Sequence, residues 1–437
     1  MDAESSDLGA RDAERARVAE KTARTQLALF EEWLRARAAR GDNLSQRSAA
    51  WYARRRECVG ASQLGKLETE AGAWQVARSV AGLVPRINPP PCLWGNLLEP
   101  YSEAWVEALG GEVRNAGSLL SRALPGHACS PDGVAALDLR KLRAHWTPGA
   151  APPTPGPAFV VLEYKNAWSR ALGGPPPRHY VVQSQAGVLA VPLARAAVLL
   201  EFEFRRCGLD EWGWNSLMNP DLGRSQARAP PGAPLALGCL GFLPGPCPPL
   251  PLTAVDPECA ELYPFADGEP DEAERRADAV RLLQEFRRDL RAEQELRSGQ
   301  PGDLGAASYK LFVRGMWLAS LGVLRVRRLR LRFPAAPLPG AAQLSDTSFG
   351  PKTPLAVLPL KLFRVAATYV PGDRQKILSY AARVQLVLQH AQLLRDAAEA
   401  AEAAGGDEAA RDEFARAWAA LNSAHPPSGA PAPLAPS

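Results

Sequence analysis

Residues 159–164 read Phe-Val-Val-Leu-Glu-Tyr, an apolar and β-branched run bounded upstream by the prolines between 152 and 157. A run of that length and composition predicts a buried strand. Ahead of it, Leu97, Leu98, Tyr101, Trp105 and Leu109 recur at helical spacing and predict a helix over 97–109. Strand-like segments follow at 112–120 and 127–137. Beyond the buried strand come a helical segment over 180–189 and a β-like apolar pattern over 196–204. The order is α-β-β-β-α-β, which predicts an α/β fold with a central mixed β-sheet flanked by helices.

The flanks read differently. Residues 11–40 predict a charged helix with one apolar edge at Leu27, Phe30 and Leu34. A second long helix is expected over 271–296, with Val280, Leu283, Phe286 and Leu290 as its buried stripe. Residues 374–421 are alanine-rich and broken at Gly405-Gly406. Residues 325–333 alternate Arg328, Arg330 and Arg332 with Leu329, Leu331 and Phe333, a strand with one basic and one apolar face. The insert from Arg140 to Pro157 is too rich in proline and glycine for regular structure and predicts a surface loop, and 230–257 reads as an extended linker. The expected organisation is a helical extension (1–50), a core (51–260) with a proline-rich loop (146–158), a mostly helical extension (261–425) and a disordered tail (426–437).

Candidate chemistry sits on the core. On a strand, residues two apart project to one face, so Glu163 and Lys165 would stand side by side. A carboxylate and an ammonium at the end of a buried strand are costly unless they bind a metal, a substrate or each other, and a strand-end salt bridge is the plain reading of the pair alone. Asp132 lies in Ser130-Pro131-Asp132-Gly133, which by itself is a β-turn. Glu99 follows Trp94-Gly95 on the predicted helix and by itself is a solvated helix carboxylate. Together, Glu99, Asp132 and Glu163 are hard oxygen donors suited to Mg²⁺ or Mn²⁺. Tyr180, Gln183 and Gly187 share one helix face, which lets Gln183 point toward such a cleft.

This set, in this order, resembles the PD-(D/E)xK nuclease superfamily, with its restriction-endonuclease-like core. Within it, the chain is similar to the branch holding phage lambda exonuclease, YqaJ-type viral recombinases and the alkaline nucleases of herpesviruses and other large DNA viruses. The resemblance covers residues 55–204: Ser-Pro-Asp-Gly supplies Asp132, Leu-Glu-Tyr-Lys supplies Glu163 and Lys165, Trp-Gly-x-x-x-Glu supplies Glu99, and Tyr-x-x-Gln-x-Gln supplies Tyr180 and Gln183. The resemblance also implies phosphate contacts from Arg55 and Ser62. It implies one or two Mg²⁺ or Mn²⁺ ions held by Glu99, Asp132, Glu163 and the carbonyl of Tyr164, with Lys165 as catalytic residue. The implied activity is 5′→3′ exonucleolytic hydrolysis of double-stranded DNA ends in viral recombination or genome processing. A structure-selective endonuclease on DNA or RNA, and a catalytically silent DNA-binding scaffold, are the alternatives. A single-strand-annealing protein is the partner the resemblance suggests, and a monomer or a ring-forming trimer the assembly.

Composition narrows this little. The 437 residues carry a net charge of +4, so attraction of nucleic acid would fall to local patches such as Arg54-Arg55-Arg56. Seven cysteines without a Cys-x-x-Cys pair argue against a zinc knuckle or an iron-sulfur cluster. The odd count, with no signal peptide or membrane-spanning run recognisable, predicts a reducing intracellular compartment without membrane contact: the host nucleus for a nuclear virus, otherwise the cytoplasm. Of the five histidines, His179 is the one expected near the cleft.

Overall fold

The computed structural model describes residues 2–40, 44, 48–84, 89–206, 237–244, 304–320, 324–332, 356–400 and 406–424, and most of 281–296. Two sheets organise them. The larger has seven strands in the order β2-β5-β6-β7-β10-β8-β9. These are β2 (Glu112–Arg114), β5 (Gly133–Asp138), β6 (Pro157–Asn166), β7 (Ala196–Arg206), β8 (Leu237–Pro244), β9 (Leu324–Arg332) and β10 (Ala356–Pro371). Only β6 and β7 run parallel, so the sheet is mixed. The smaller sheet joins β1 (Val59–Gly60), β4 (His127–Cys129) and β3 (Leu119–Leu120).

Alternation along the central strands feeds a separate core on each face. Val134, Ala136, Phe159, Val161, Ala197 and Leu199 pack into one. It is closed by α1 (Asp2–Ala38), α4 (Glu70–Ala81), α6 (Arg178–Ala190), α9 (Ala381–Ala400) and α10 (Gly406–Ala424). The short helices α2 (Ala49–Arg54) and α3 (Ala61–Leu64) precede α4, and α8 (Arg374–Leu378) precedes α9. Ala135, Leu137, Val160, Leu162, Val198, Leu200 and Phe202 pack into the other core, under α5 (Pro90–Ala108) and α7 (Leu304–Ser320). A strand buried on both faces reads as a continuous apolar run, which is why 159–164 is so legible. α6 comes close to β6 because Gly187 has no side chain: a Cβ there would stand 3.0 Å from Val161 Cγ1.

The expected α-β-β-β-α-β order is present, with two refinements. Each of the first two strand-like segments breaks in two and serves both sheets: 112–120 becomes β2 and β3, and 127–137 becomes β4 and β5. The first break is a turn in which Asn115 Oδ1 accepts from Gly117 N at 2.7 Å while Gly117 takes a φ of +63°, open to glycine. The second is Ser130-Pro131-Asp132, where proline has no amide to give a ladder. The insert after Asp138 begins as a short 3-10 helix (Leu139–His145) that buries Leu139, Leu142 and His145.

The flanks depart further from expectation. The linker expected over 230–257 contains β8, and the mostly helical extension contributes β9 and β10 to the main sheet. β10 pairs along nearly all of β7, from Leu360↔Arg206 to Pro371↔Ala196. Sequence periodicity marks each strand and says nothing of its partner, so strands 150 or more residues away in the chain were invisible as members of the core. The strand expected over 325–333 is present: β9 ends the described sheet. The first half of the helix expected over 271–296, and the tail 426–437, lie outside the described residues. No described helix is long and apolar enough to cross a membrane.

Candidate active site

β6 delivers Glu163 and Lys165 to one side of the sheet, as the two-residue period demands. Glu163 is 2% exposed. Its Oε1 accepts from Lys165 Nζ at 2.7 Å and from Gln183 Nε2, while Gln183 Oε1 accepts from Lys165 Nζ at 3.1 Å. The strand-end salt bridge therefore exists, and Gln183 of α6 completes it. Asp132 lies at the start of β5, beside β6, where its Oδ2 accepts from the backbone N–H of Tyr164 at 2.6 Å. The Tyr164 ring, 4% exposed, turns to the opposite core against Phe202. Only the backbone of Tyr164 is left for the cleft.

All nine residues singled out from the sequence line one cleft of about 570 Å³: Arg55, Ser62, Glu99, Asp132, Glu163, Tyr164, Lys165, Tyr180 and Gln183. The Arg55 guanidinium stacks 4.6 Å from the Trp51 ring, whose Nε1 donates to Ser130 Oγ at 3.4 Å. Lys165 Nζ lies 5.0 Å from the centre of the Tyr180 ring. His179 packs edge-on against Tyr180 at 4.4 Å and also borders the cleft.

Electrostatics divides the cleft into an acidic floor and a basic rim. Burial, then the charges of Glu163 and Glu99, push the Asp132 carboxyl well above the usual carboxylate range, against the opposing pull of Lys165 and the Tyr164 amide. On the rim, burial followed by the cations Lys165, Lys66 and Arg170 lowers the His179 imidazole. A carboxyl pushed up by two neighbouring carboxylates is part of a donor set that a divalent cation would relieve, so the residues suit Mg²⁺ or Mn²⁺ in type and charge. The set is not closed in this conformation. Among the described residues no three carboxylate, histidine or cysteine side chains are gathered closely enough to hold a metal ion, and Glu163 is engaged by Lys165 and Gln183.

Several cleft residues escaped the sequence reading. Glu201, 1% exposed, is the register partner of Lys165 on β7 and pairs with Arg170. Its signal was present: a carboxylate interrupts the otherwise apolar run 196–202. Trp51, Lys66, Asn166 and Arg170 also line the cleft, and nothing in their local spacing distinguishes them.

No protein-family model matches the chain. Among curated proteins it is similar to a protein of African swine fever virus. Its versions from the isolates Tick/Malawi/Lil 20-1/1983 and Tick/South Africa/Pretoriuskop Pr4/1996 are each 28% identical to this chain over 204 residues. Each alignment covers 43% of this chain and 59% of the relative, so the chain spans about three fifths of the length of the proteins it matches. Among solved structures, an alkaline exonuclease (LHK-Exo) from Laribacter hongkongensis, alone and in complex with dAMP, aligns at 17% identity over 36% of this chain and 74% of that one. The TM-score is 0.26, too low to bear on fold or site.

Proposed function

We propose that the chain is a Mg²⁺- or Mn²⁺-dependent nuclease that hydrolyses phosphodiester bonds at double-stranded DNA ends with 5′→3′ polarity. The observation that carries this reading is the meeting of Asp132, Glu163 and Glu99 with Lys165 and Gln183 in one cleft whose rim is basic. A metal held there would supply an activated water and charge stabilisation for the scissile phosphate. Asp132, Glu163, Glu99 and the Tyr164 carbonyl would hold it. Gln183 orients the Lys165 ammonium, which is placed to hold the attacking water and to offset charge as it builds on the phosphate. Arg55 and Ser62, which line the same cleft, would take the terminal 5′ phosphate, with the Trp51 ring stiffening Arg55, and Tyr180 would contact the neighbouring phosphate. A role in viral recombination or genome processing is part of the same proposal, to which the relatives contribute only that they come from a virus.

The test is a gel of 5′-labelled linear duplex and covalently closed circles with Mg²⁺ and with EDTA. Linear DNA should be degraded only with metal, and circles should survive. A 5′-phosphorylated duplex should be degraded faster than a 5′-hydroxyl duplex, and that preference should vanish in Arg55→Ala, since a guanidinium-phosphate pair is charge-assisted and directional. Circles cut as readily as ends would replace the exonuclease reading with the endonuclease one. Full activity in EDTA would remove the nuclease assignment.

A further inference from the structure

Glu99 differs from the other two acidic residues in how it is carried. Glu163 lies on β6 and Asp132 immediately precedes the neighbouring β5, with Asp132 bonded directly to the backbone of β6. Glu99 arrives on α5, a separate helix with Pro100 inside it. Proline has no amide to donate and disfavours helical backbone in the residue before it, so the helix is least constrained by its own bonds where Glu99 sits. Something outside the helix has to fix it.

Asn166, the residue after Lys165 at the end of β6, bonds to α5 twice. Its Nδ2 donates to the Gly95 carbonyl at 3.3 Å, and its Oδ1 accepts from Ser102 Oγ at 2.9 Å. Gly95 and Ser102 lie one turn before and one turn after Glu99 on the same helix face. In an α-helix the carbonyl of residue 95 is also the acceptor for the amide of residue 99, so the amide group of Asn166 grips the peptide that closes the turn of Glu99. The amide orientation is fixed by chemistry: reversed, its oxygen would face the Gly95 carbonyl. Ser102 is fully buried and Asn166 pairs with Phe202 on β7, so both ends of the clamp are anchored in packed structure. A third tie, Trp94 Nε1 to the Ala167 carbonyl at 3.1 Å, lies beside it.

We infer that Asn166 is a positioning residue that sets Glu99 against Asp132 and Glu163, and thereby sets the affinity of the cleft for a divalent cation. The inference rests on the reading of these carboxylates as a metal site. Asn166 touches neither metal nor DNA in this role; it acts through the helix. Outer groups that orient ligands typically change metal affinity 10- to 100-fold when removed.

The test is direct Mn²⁺ binding by calorimetry on the full chain, with melting curves in EDTA as a control for folding. Asn166→Ala should weaken Mn²⁺ binding about tenfold or more. Ser102→Ala, which removes one donor with little change of shape, should weaken it less. The double variant should bind no worse than Asn166→Ala alone, because both changes open one clamp. In cleavage assays the Mn²⁺ concentration needed for half-maximal rate should rise while turnover at saturating Mn²⁺ is retained. If wild type binds Mn²⁺, Asp132→Asn does not, and Asn166→Ala and Ser102→Ala bind as wild type does, the clamp is overturned alone. If wild type fails to bind, or Asp132→Asn binds normally, the metal-site reading falls and takes the clamp with it. Should Asn166→Ala fail to fold, Ser102→Ala decides by itself, with unchanged affinity counting against the clamp.

Discussion

The seven-stranded sheet has two halves built in different ways. β2, β5, β6 and β7 come from residues 112–206 and follow one another in space as in the chain, and β6 and β7 border the cleft. β10, β8 and β9 come from residues 237–371, and their order in the sheet departs from their order in the chain. The near half carries Glu163, Glu201 and Lys165 of the cleft lining, and Asp132 immediately precedes its β5. Among the described residues the far half supplies none to the cleft lining, yet β10 lies along β7 and buries Leu362, Val365, Ala367 and Val370 against the two cores. The candidate site is largely local in sequence, while the support beneath it is assembled from a distance.

The largest effect should come from removing that support. A chain ending at residue 260, where the sequence suggested the core would end, leaves β7 as a bare edge and exposes Leu200, Phe202 and Phe204 at the end of the sheet. Loss of burial at about 1.5–3 kcal/mol per large apolar side chain, over several side chains, matches a typical whole-domain stability of roughly 5–15 kcal/mol. The truncated chain should show no cooperative thermal transition by circular dichroism and should be digested rapidly by protease. A sharp melt like that of the full chain would make the near half an independent domain and dissolve the comparison.

Next comes Lys165→Ala, which touches only the chemical half. Its ammonium stands at the cleft with Glu163 and Gln183 and is not part of either core. Turnover should fall about 10²–10³-fold at saturating Mg²⁺ with DNA binding little changed, because on the proposed reading the charge is needed as the phosphate goes through its transition state. The melting temperature in EDTA should fall, because buried Glu163 loses this cation. Wild-type turnover would return the pair to an ordinary strand-end salt bridge.

How much of this was legible follows the same division. The buried strand, the flanking helices and the carboxylates with Lys165 could be read because each lies in a short segment whose period or motif is intact, whereas Arg55 and Ser62 were carried by the family resemblance alone. Glu163 and Lys165, for example, need only the two-residue alternation of β6. Glu201 was missed because its relation to Lys165 is a parallel register across a helical connection, which no local pattern encodes. The pairing of β10 with β7 was missed for the same reason at greater range. The clamp of Asn166 on α5 depends on two hydrogen bonds to residues more than 60 positions away.

A third, smaller effect concerns Asp132 and has opposite signs for activity and stability. Its carboxyl is held well above the usual range by burial and by Glu163 and Glu99. The folded chain therefore keeps this proton more tightly than the unfolded chain. The stability that the proton contributes is complete below the ordinary carboxylate pKa and is lost as pH rises through the raised folded value. Asp132→Asn keeps an oxygen to accept from Tyr164 and removes the charge. It should abolish cleavage and yet, in EDTA at neutral pH, raise stability by on the order of 1 kcal/mol, an advantage that disappears below about pH 4. Mn²⁺ should raise the melting temperature of wild type and not of the variant. A variant that melts lower than wild type at neutral pH in EDTA would show that the acidic floor carries no electrostatic strain.

The smallest effect should come from a contact by which the far half reaches the rim. Arg364 of β10 donates through Nη1 to the carbonyl of Leu172, in the segment between β6 and α6 that also bears Arg170. Arg170 is tied at its other side to buried Glu201, so two residues on neighbouring strands hold one rim segment in place. Arg364→Ala removes one of those ties without disturbing either core, since Arg364 is exposed and belongs to neither. A single hydrogen bond of this kind contributes about 0.5–1.5 kcal/mol, which corresponds to a roughly 2- to 13-fold change. Because on the proposed reading the rim would meet substrate and the floor would perform the chemistry, the change should fall on KM for DNA, with kcat intact and with a shallower dependence on salt as a basic side chain loses its fixed position. A drop in kcat at unchanged KM would mean that the far half acts on the floor itself, through β7 and Glu201, and that support and chemistry in this sheet are not separable.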